Sequence, residues 1–220
     1  MNKTETAQRI LNILKKEYPK YQTPVSTYFQ EKTKNSFKVL IATILSPRAK
    51  DTQTEKVAKE LFKNADTPQK IAKYEQKKLE KIIYSIGFYK TKAKRVKDAS
   101  RYLLENHNGK VPKTREELMK IPGVGRKVAN IILAECFGKA CIAIDTHCMT
   151  FANRMGFVKG RNPLNVEKTL ENLFPKDQWR NINRFIVAHG QNVCLPLSPK
   201  CNVCPIEEYC KKVGVKQYHK

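Results

Sequence analysis

The sequence predicts an all-α protein, on three observations. Apolar residues recur at helical spacing in one segment after another along its 220 residues. Prolines and glycines fall mostly at the ends of these segments, as at Pro19, Pro47 and Pro68, where they start or stop helices. The single stretch that reads as extended, ACIAI at 140–144, has no strand ladder to join.

Each element follows from its own pattern. TETAQRILNILKKEY sets Ile10, Leu11, Ile13 and Leu14 on one side and ends before Pro19. SFKVLIATILS is nearly all apolar up to Pro47, the mark of a buried helix. DTQTEKVAKELFKNA spaces Val57, Ala58, Leu61 and Phe62 helically, and DTPQKIAKY offers a cap with Pro68 in the first turn. EQKKLEKIIYSIG carries Leu79, Ile82, Ile83 and Ile86, with Gly87 suited to the residue after the helix cap. KTKAKRVKDASRYLLENHNG follows, then TREELMKI, which opens on a Thr114-x-x-Glu117 capping box. GRKVANIILAECFG, DTHCMTFANRMG, NVEKTLENLFP and QWRNINRFIVAHG complete the series. No low-complexity linker or fixed-period repeat interrupts it.

Composition bounds the function. A 40% hydrophobic and 29% charged chain of this length describes a soluble globular protein with one generous core or two small ones. Forty-three Lys and Arg against 20 acids give a net charge of +23, a field that attracts polyanions, nucleic acid foremost. The opening MNKTETAQRI lacks the apolar core of a signal peptide, and VLIATIL at 39–45 is too short to span a bilayer. No membrane role is expected, and a cytoplasmic, nucleoid-associated location is. In such a compartment a cysteine cluster points to metal rather than disulfides.

Two segments carry chemistry. In LMKIPGVGRKVANIIL (118–133) a helix ends near Lys120, IPGVG makes a short turn, and a helix starts around Gly125. Gly123 and Gly125 permit positive φ and let a backbone approach closely. The free N–H groups at the start of the second helix then face a phosphate. Gly123, Val124, Gly125 and Arg126 are therefore candidate DNA contacts, gripping backbone rather than reading bases. The second segment, CLPLSPKCNVCPIEEYC (194–210), holds four of the seven cysteines. Cys194, Cys201, Cys204 and Cys210 suit either zinc or an iron–sulfur cube. Their one C-x2-C with two looser gaps leans slightly to iron–sulfur. Cys136, Cys141 and Cys148 read as buried thiols.

The order of motifs carries a resemblance. IPGVGRKVANIIL, then IDTH with Asp145 eighteen residues after Lys127, then C-x6-C-x2-C-x5-C, resembles the endonuclease III family of DNA glycosylases from about residue 25 to 212. The resemblance implies two helical lobes: a six-helix barrel with the helix-hairpin-helix at 26–139, and an iron–sulfur cluster lobe of 1–25 plus 140–215. The active site then lies in the cleft between them, where Lys127 and Asp145 face each other. It makes Lys127 the nucleophile and Asp145 the catalytic aspartate of a bifunctional glycosylase and AP lyase acting on damaged pyrimidines. The same resemblance makes the four cysteines ligands of a [4Fe-4S] cluster that presents Lys200, Lys211 and Lys212 to phosphates. The partner implied is duplex DNA with damaged bases or abasic sites, bound by a monomer.

The match also shows departures. LSPRAKD (45–51) corresponds to the loop that fills the space of an extruded base, commonly with glutamine; here the position is Arg48 or Pro47, according to alignment. In IGFYKTKA (86–93), Phe88 stands at an aliphatic wedge position, and is equally placed for a cap contact after Gly87. His147 and His189 match family positions and read as structural. A monofunctional mismatch glycosylase is the runner-up, against which Lys127 argues. A non-enzymatic iron–sulfur DNA-binding protein is the alternative of a different class.

Overall fold

The computed structural model describes residues 2–216, and among them helices are the only regular secondary structure. The stretch at 140–144 forms no strand; Cys141–Ile144 is a buried connector, held where Asn183 Nδ2 donates to the Ala143 carbonyl at 2.7 Å.

The chain divides into two compact units, one formed by 1–24 with 139–220 and the other by 25–138. The contiguous unit holds α2 (Val25–Thr33), α3 (Ser36–Leu45), α4 (Asp51–Asn64), α5 (Pro68–Lys73), α6 (Gln76–Ile82), α7 (Tyr89–His107), α8 (Arg115–Leu118) and α9 (Arg126–Phe137). Its centre is α3, whose residues from Val39 to Leu45 are all buried and which packs against α2, α4, α7 and α9. Asn35 starts that helix by accepting from the amides of Phe37 and Lys38 at 3.0 and 3.2 Å. So apolar a helix is stable only when surrounded, which fixes it as the core of its unit. Helix α2 did not announce itself in the sequence, because Ser26 and Thr27 are among its buried residues and blur the apolar period.

The discontinuous unit holds α1 (Lys3–Glu17), α10 (Thr146–Arg154), α11 (Pro163–Leu173) and α12 (Trp179–Asn192). Ile10, Leu11 and Leu14 of α1 meet Phe151, Val166, Leu170, Ile182 and Phe185 in one cluster. The first helix opens on a capping box that the reading missed: Asn2 Oδ1 accepts from Glu5 N at 2.8 Å, and Asn2 N donates to Glu5 Oε2 at 3.1 Å. Helices α10 and α12 approach so closely at Gly190 that an added Cβ would lie 2.5 Å from His147 Nδ1. Short 3₁₀ turns at Cys201–Val203 and Glu207–Tyr209 shape the end of the chain.

Two expectations about local structure change. The Thr114 cap is present, Thr114 Oγ1 accepting from Glu117 N at 3.3 Å, but the Glu117 carboxylate receives the Thr114 hydroxyl at 2.7 Å rather than closing the box. Gly87 is not the left-handed residue after α6, which is capped at Ile83. Phe88 takes that conformation instead, with φ 59°, as the residue preceding α7.

Candidate active site and cysteine centre

The helix-hairpin-helix is α8, a tight turn, and α9. Leu118, Ile121 and Val124 are buried and anchor the turn from beneath. The Ile121 amide donates to Leu118 O at 3.1 Å, and Val124 N to Ile121 O at 3.0 Å. Arg115 Nε donates to the buried Asn130 Oδ1 at 2.9 Å, which ties α8 to α9. Gly123 has φ +85°, where a side chain is strained, and an added Cβ would meet Arg95 at 3.3 Å.

Gly125 serves differently. Its φ of −97° is open to any residue, and nothing lies within 4 Å of the position of its absent Cβ. The fold itself therefore does not require a glycine there. Gly125 also caps α9 without any side-chain hydrogen bond, so no side chain competes for the first-turn amides. Val124 anchors the turn, its side chain buried and its amide donating to Ile121 O.

Lys127 is exposed in the first turn of α9, two residues past Gly125, and Arg126 beside it is half-buried. Asp145 belongs to the other unit. It is half-buried at the N-cap of α10, where its Oδ1 accepts from Cys148 N at 2.8 Å. The cap holds the carboxylate in one orientation.

Arg48 and Phe88 are brought together. Both are exposed and both hold left-handed backbone, φ 57° and 59°. The guanidinium of Arg48 lies 5.1 Å from the Phe88 ring centre, a cation–π contact. The Arg48 carbonyl is 3.4 Å from where a Cβ on Gly87 would stand, and Gln53 Nε2 of α4 hydrogen-bonds Ser85 Oγ in the turn before α7. The two loops thus meet in one exposed tip of two non-glycine residues in left-handed backbone. Phe88 is 60% exposed, which removes the alternative that it packs as a cap contact.

The four cysteines at 194–210 all line one cavity, with Phe151, Arg154, Met155 and His189. Burial is the main cause that raises the thiols of Cys201, Cys204 and Cys210, that of Cys204 to about 12. Such thiols ionise only beside a strong positive charge, which a metal centre supplies. Among the described residues no three Cys, His, Asp or Glu side chains converge where one ion would sit. Four thiols lining one apolar cavity are the donor set of either a zinc site or an iron–sulfur cube.

Two residues at this centre escaped the sequence reading or were read too plainly. Arg154, buried on α10, donates from Nη1 to Cys194 O at 3.2 Å and Leu195 O at 2.8 Å, and from Nη2 to Pro196 O at 2.8 Å; Nη1 also lies 3.1 Å from Cys194 Sγ. One guanidinium thus fixes the start of the loop. His189 is buried and its pKa is lowered to about 4, chiefly by burial, so it stays neutral; its Nε2 lies 3.8 Å from Cys204 Sγ. Lys200 and Lys211 are exposed as expected. Lys212 is not free for phosphate, because its Nζ pairs with Glu207 Oε1 at 2.6 Å.

Comparison with known proteins bears on both centres. A family model described as HhH-GPD superfamily base excision DNA repair protein matches residues 41–176. The endonuclease III of Thermotoga maritima is 43% identical over 180 residues, 82% of this chain and 84% of that protein. Two solved structures are each 34% identical and cover 96% of this chain and 97% of theirs. They are a non-covalent endonuclease III–DNA complex, with a TM-score of 0.85, and a trapped endonuclease III–DNA covalent intermediate, with a TM-score of 0.80.

Proposed function

The chain belongs to the HhH-GPD superfamily of base excision DNA repair proteins and within it to the endonuclease III family, and from that premise we infer that it is a bifunctional DNA glycosylase and AP lyase acting on damaged pyrimidines in duplex DNA. The observation that carries the reading is the exposed Lys127 in the uncapped first turn of α9, directly beyond the Gly123–Gly125 turn. That placement sets an amine beside amides suited to hold a phosphate.

The chemistry follows from these groups. Lys127 Nζ attacks C1′ of the damaged nucleoside, and the N-glycosidic bond breaks with its electron pair leaving on the base. Positive charge builds on the sugar, and the Asp145 carboxylate, held by Cys148 N–H, stabilises it electrostatically. Ring opening yields a protonated Schiff base between Lys127 and C1′. Loss of a C2′ proton then expels the 3′ phosphate by β-elimination, and water releases the lysine. The damaged base and an interrupted strand are the products.

Around this centre Gly123, Gly125 and Arg126 hold phosphate, and Arg48 and Phe88 occupy the space opened in the helix. A wedge recovers part of the few kcal/mol that unstacking a base costs. Cys194, Cys201, Cys204 and Cys210 would hold a [4Fe-4S] cluster, which would tie the loop together through their thiolates. The exposed Lys200 within that loop and Lys211 just after it are placed to meet DNA phosphates. A monomer working on chromosomal DNA in the cytoplasm fits the reading. No helix among the described residues is long and apolar enough to cross a membrane.

Borohydride trapping tests it. The protein incubated with an abasic-site duplex and the reductant should form a covalent adduct, and Lys127→Ala should form none. A Lys127→Ala variant that traps as well as the unaltered protein removes the proposal. Binding should weaken steeply with salt, as phosphate contacts release counterions.

A further inference from the structure

Immediately beside the Arg48–Phe88 tip lies a groove that the reaction does not use. It has a volume of about 330 Å³, opens to solvent, and is lined by Lys77, Glu80, Lys81, Tyr84 and Tyr89. The Tyr84 and Tyr89 rings meet edge-to-face with centroids 4.9 Å apart and planes at 60°. Tyr84 is 68% exposed, more than Phe88 itself. A tyrosine so open adds little to the core, and most of its surface is accessible to solvent.

The charged rim is specific. Lys77 and Lys81 stand four residues apart and so share one face of α6. Among the described residues neither is in an ion pair, whereas Lys78 between them is engaged with Glu75 at 3.2 Å. The one acid of the groove, Glu80, is held by Gln76, whose Nε2 donates to Oε1 at 2.8 Å. Two tyrosine rings and two ammonium groups outside any ion pair, lining one groove, match a nucleotide, base on ring and phosphate on amine. Bases inside a duplex show no free face, so the occupant must be unpaired. The neighbouring tip, two left-handed residues exposed to solvent, is where stacking would be broken.

We propose that the Tyr84–Tyr89 groove binds an unpaired nucleotide of the DNA strand next to the lesion, stacking its base on Tyr84 and pairing its phosphate with Lys77 and Lys81. The proposal rests on the DNA-repair reading above and adds to it a site outside the catalytic residues.

The test compares the cluster-loaded protein on two duplexes carrying a tetrahydrofuran abasic analogue. One is otherwise fully paired; the other has three unpaired nucleotides beside the analogue, placed on each flank in turn. On one flank the unpaired duplex should bind about tenfold tighter. Tyr84→Ala should abolish that gain and leave the paired duplex within about twofold, and Tyr84→Phe should keep it. Lys77→Gln with Lys81→Gln should lower the salt slope by about one to two on the unpaired duplex alone. Equal binding of both duplexes by the unaltered protein, a gain that survives Tyr84→Ala, or equal weakening of both duplexes by Tyr84→Ala would each overturn the proposal. Borohydride trapping on a natural abasic duplex, run alongside, separates the two failures. An adduct without the tenfold gain sinks the groove and leaves the repair reading intact, whereas no adduct sinks the repair reading.

Discussion

Arg154 and Cys194 are forty residues apart in the chain and joined by a guanidinium nitrogen 3.1 Å from the sulfur. The same side chain reaches the carbonyls of Cys194, Leu195 and Pro196. A lysine keeps the charge but has a single nitrogen in place of a planar fork. Arg154→Lys should therefore lower the unfolding free energy by about 2–3 kcal/mol, the worth of one or two lost charge-assisted hydrogen bonds. It should also release iron faster to a chelator, followed by visible absorbance. Unchanged urea midpoint and iron release would show that the network is incidental.

Asp145 has two separable duties. As the cap of α10 it accepts from Cys148 N, and asparagine can do the same. Asp145→Asn should keep the melting temperature within a degree or two while glycosylase turnover falls about 10²–10³-fold, because the negative charge is gone. Asp145→Ala should lose both, with a stability cost of about 1 kcal/mol. If Asp145→Asn retains full turnover, the carboxylate is only a cap.

The two hairpin glycines make opposite predictions. Gly123→Ala meets both a φ of +85° and the Arg95 side chain at 3.3 Å, so it should destabilise by about 1–2 kcal/mol. Gly125→Ala has free space and ordinary backbone, so denaturation should hardly change. Its new methyl group instead faces the approaching DNA backbone and should raise the Kd severalfold. Stability curves and DNA titrations on the two variants separate the effects; a stable, tightly binding Gly125→Ala would deny the close approach.

Lys92 supplies a pH signature. It is buried, its Nζ has no hydrogen-bond partner among the described residues, and its pKa is lowered to about 8, by burial first and then by Arg95. Between that value and the usual 10.5 the unfolded chain binds more protons than the folded one, so this group makes stability rise with pH over the window. Below about 8 both states are charged and the penalty is constant. Lys92→Met should stabilise the protein by about 1–3 kcal/mol at pH 7, with the difference shrinking by pH 9.5. A difference that does not depend on pH would show that the ammonium is solvated.

How much of this was legible depended on range along the chain. Helices α3 and α4 were readable because each answers to its own pattern, an unbroken apolar run in the first and helical spacing in the second. The hairpin was readable too, since a tight turn between helices is written in adjacent residues. Helix α2 was hidden because it buries Ser26 and Thr27, which a polarity pattern assigns to the surface. The left-handed turn near 87–88 was assigned to glycine on propensity, whereas tertiary contact at the tip imposed it on Phe88. Arg154 was invisible for a different reason: its partners are 40–42 positions away, and no local pattern marks such a contact. The roles of Lys127 and Asp145 came from the resemblance, not from the pattern.

The split of one unit across both ends of the chain has a consequence for synthesis. Helix α1 leaves the ribosome ahead of the contiguous unit, yet the residues that cover Ile10, Leu11 and Leu14 lie beyond residue 141. The contiguous unit, 25–138, needs nothing made after it and can condense while translation continues. Through that interval the apolar face of α1 has no cover of its own, and the residues from 139 on provide it. Of the two units, the one begun first is thus completed second, and any delay in making its later part leaves α1 exposed to aggregation.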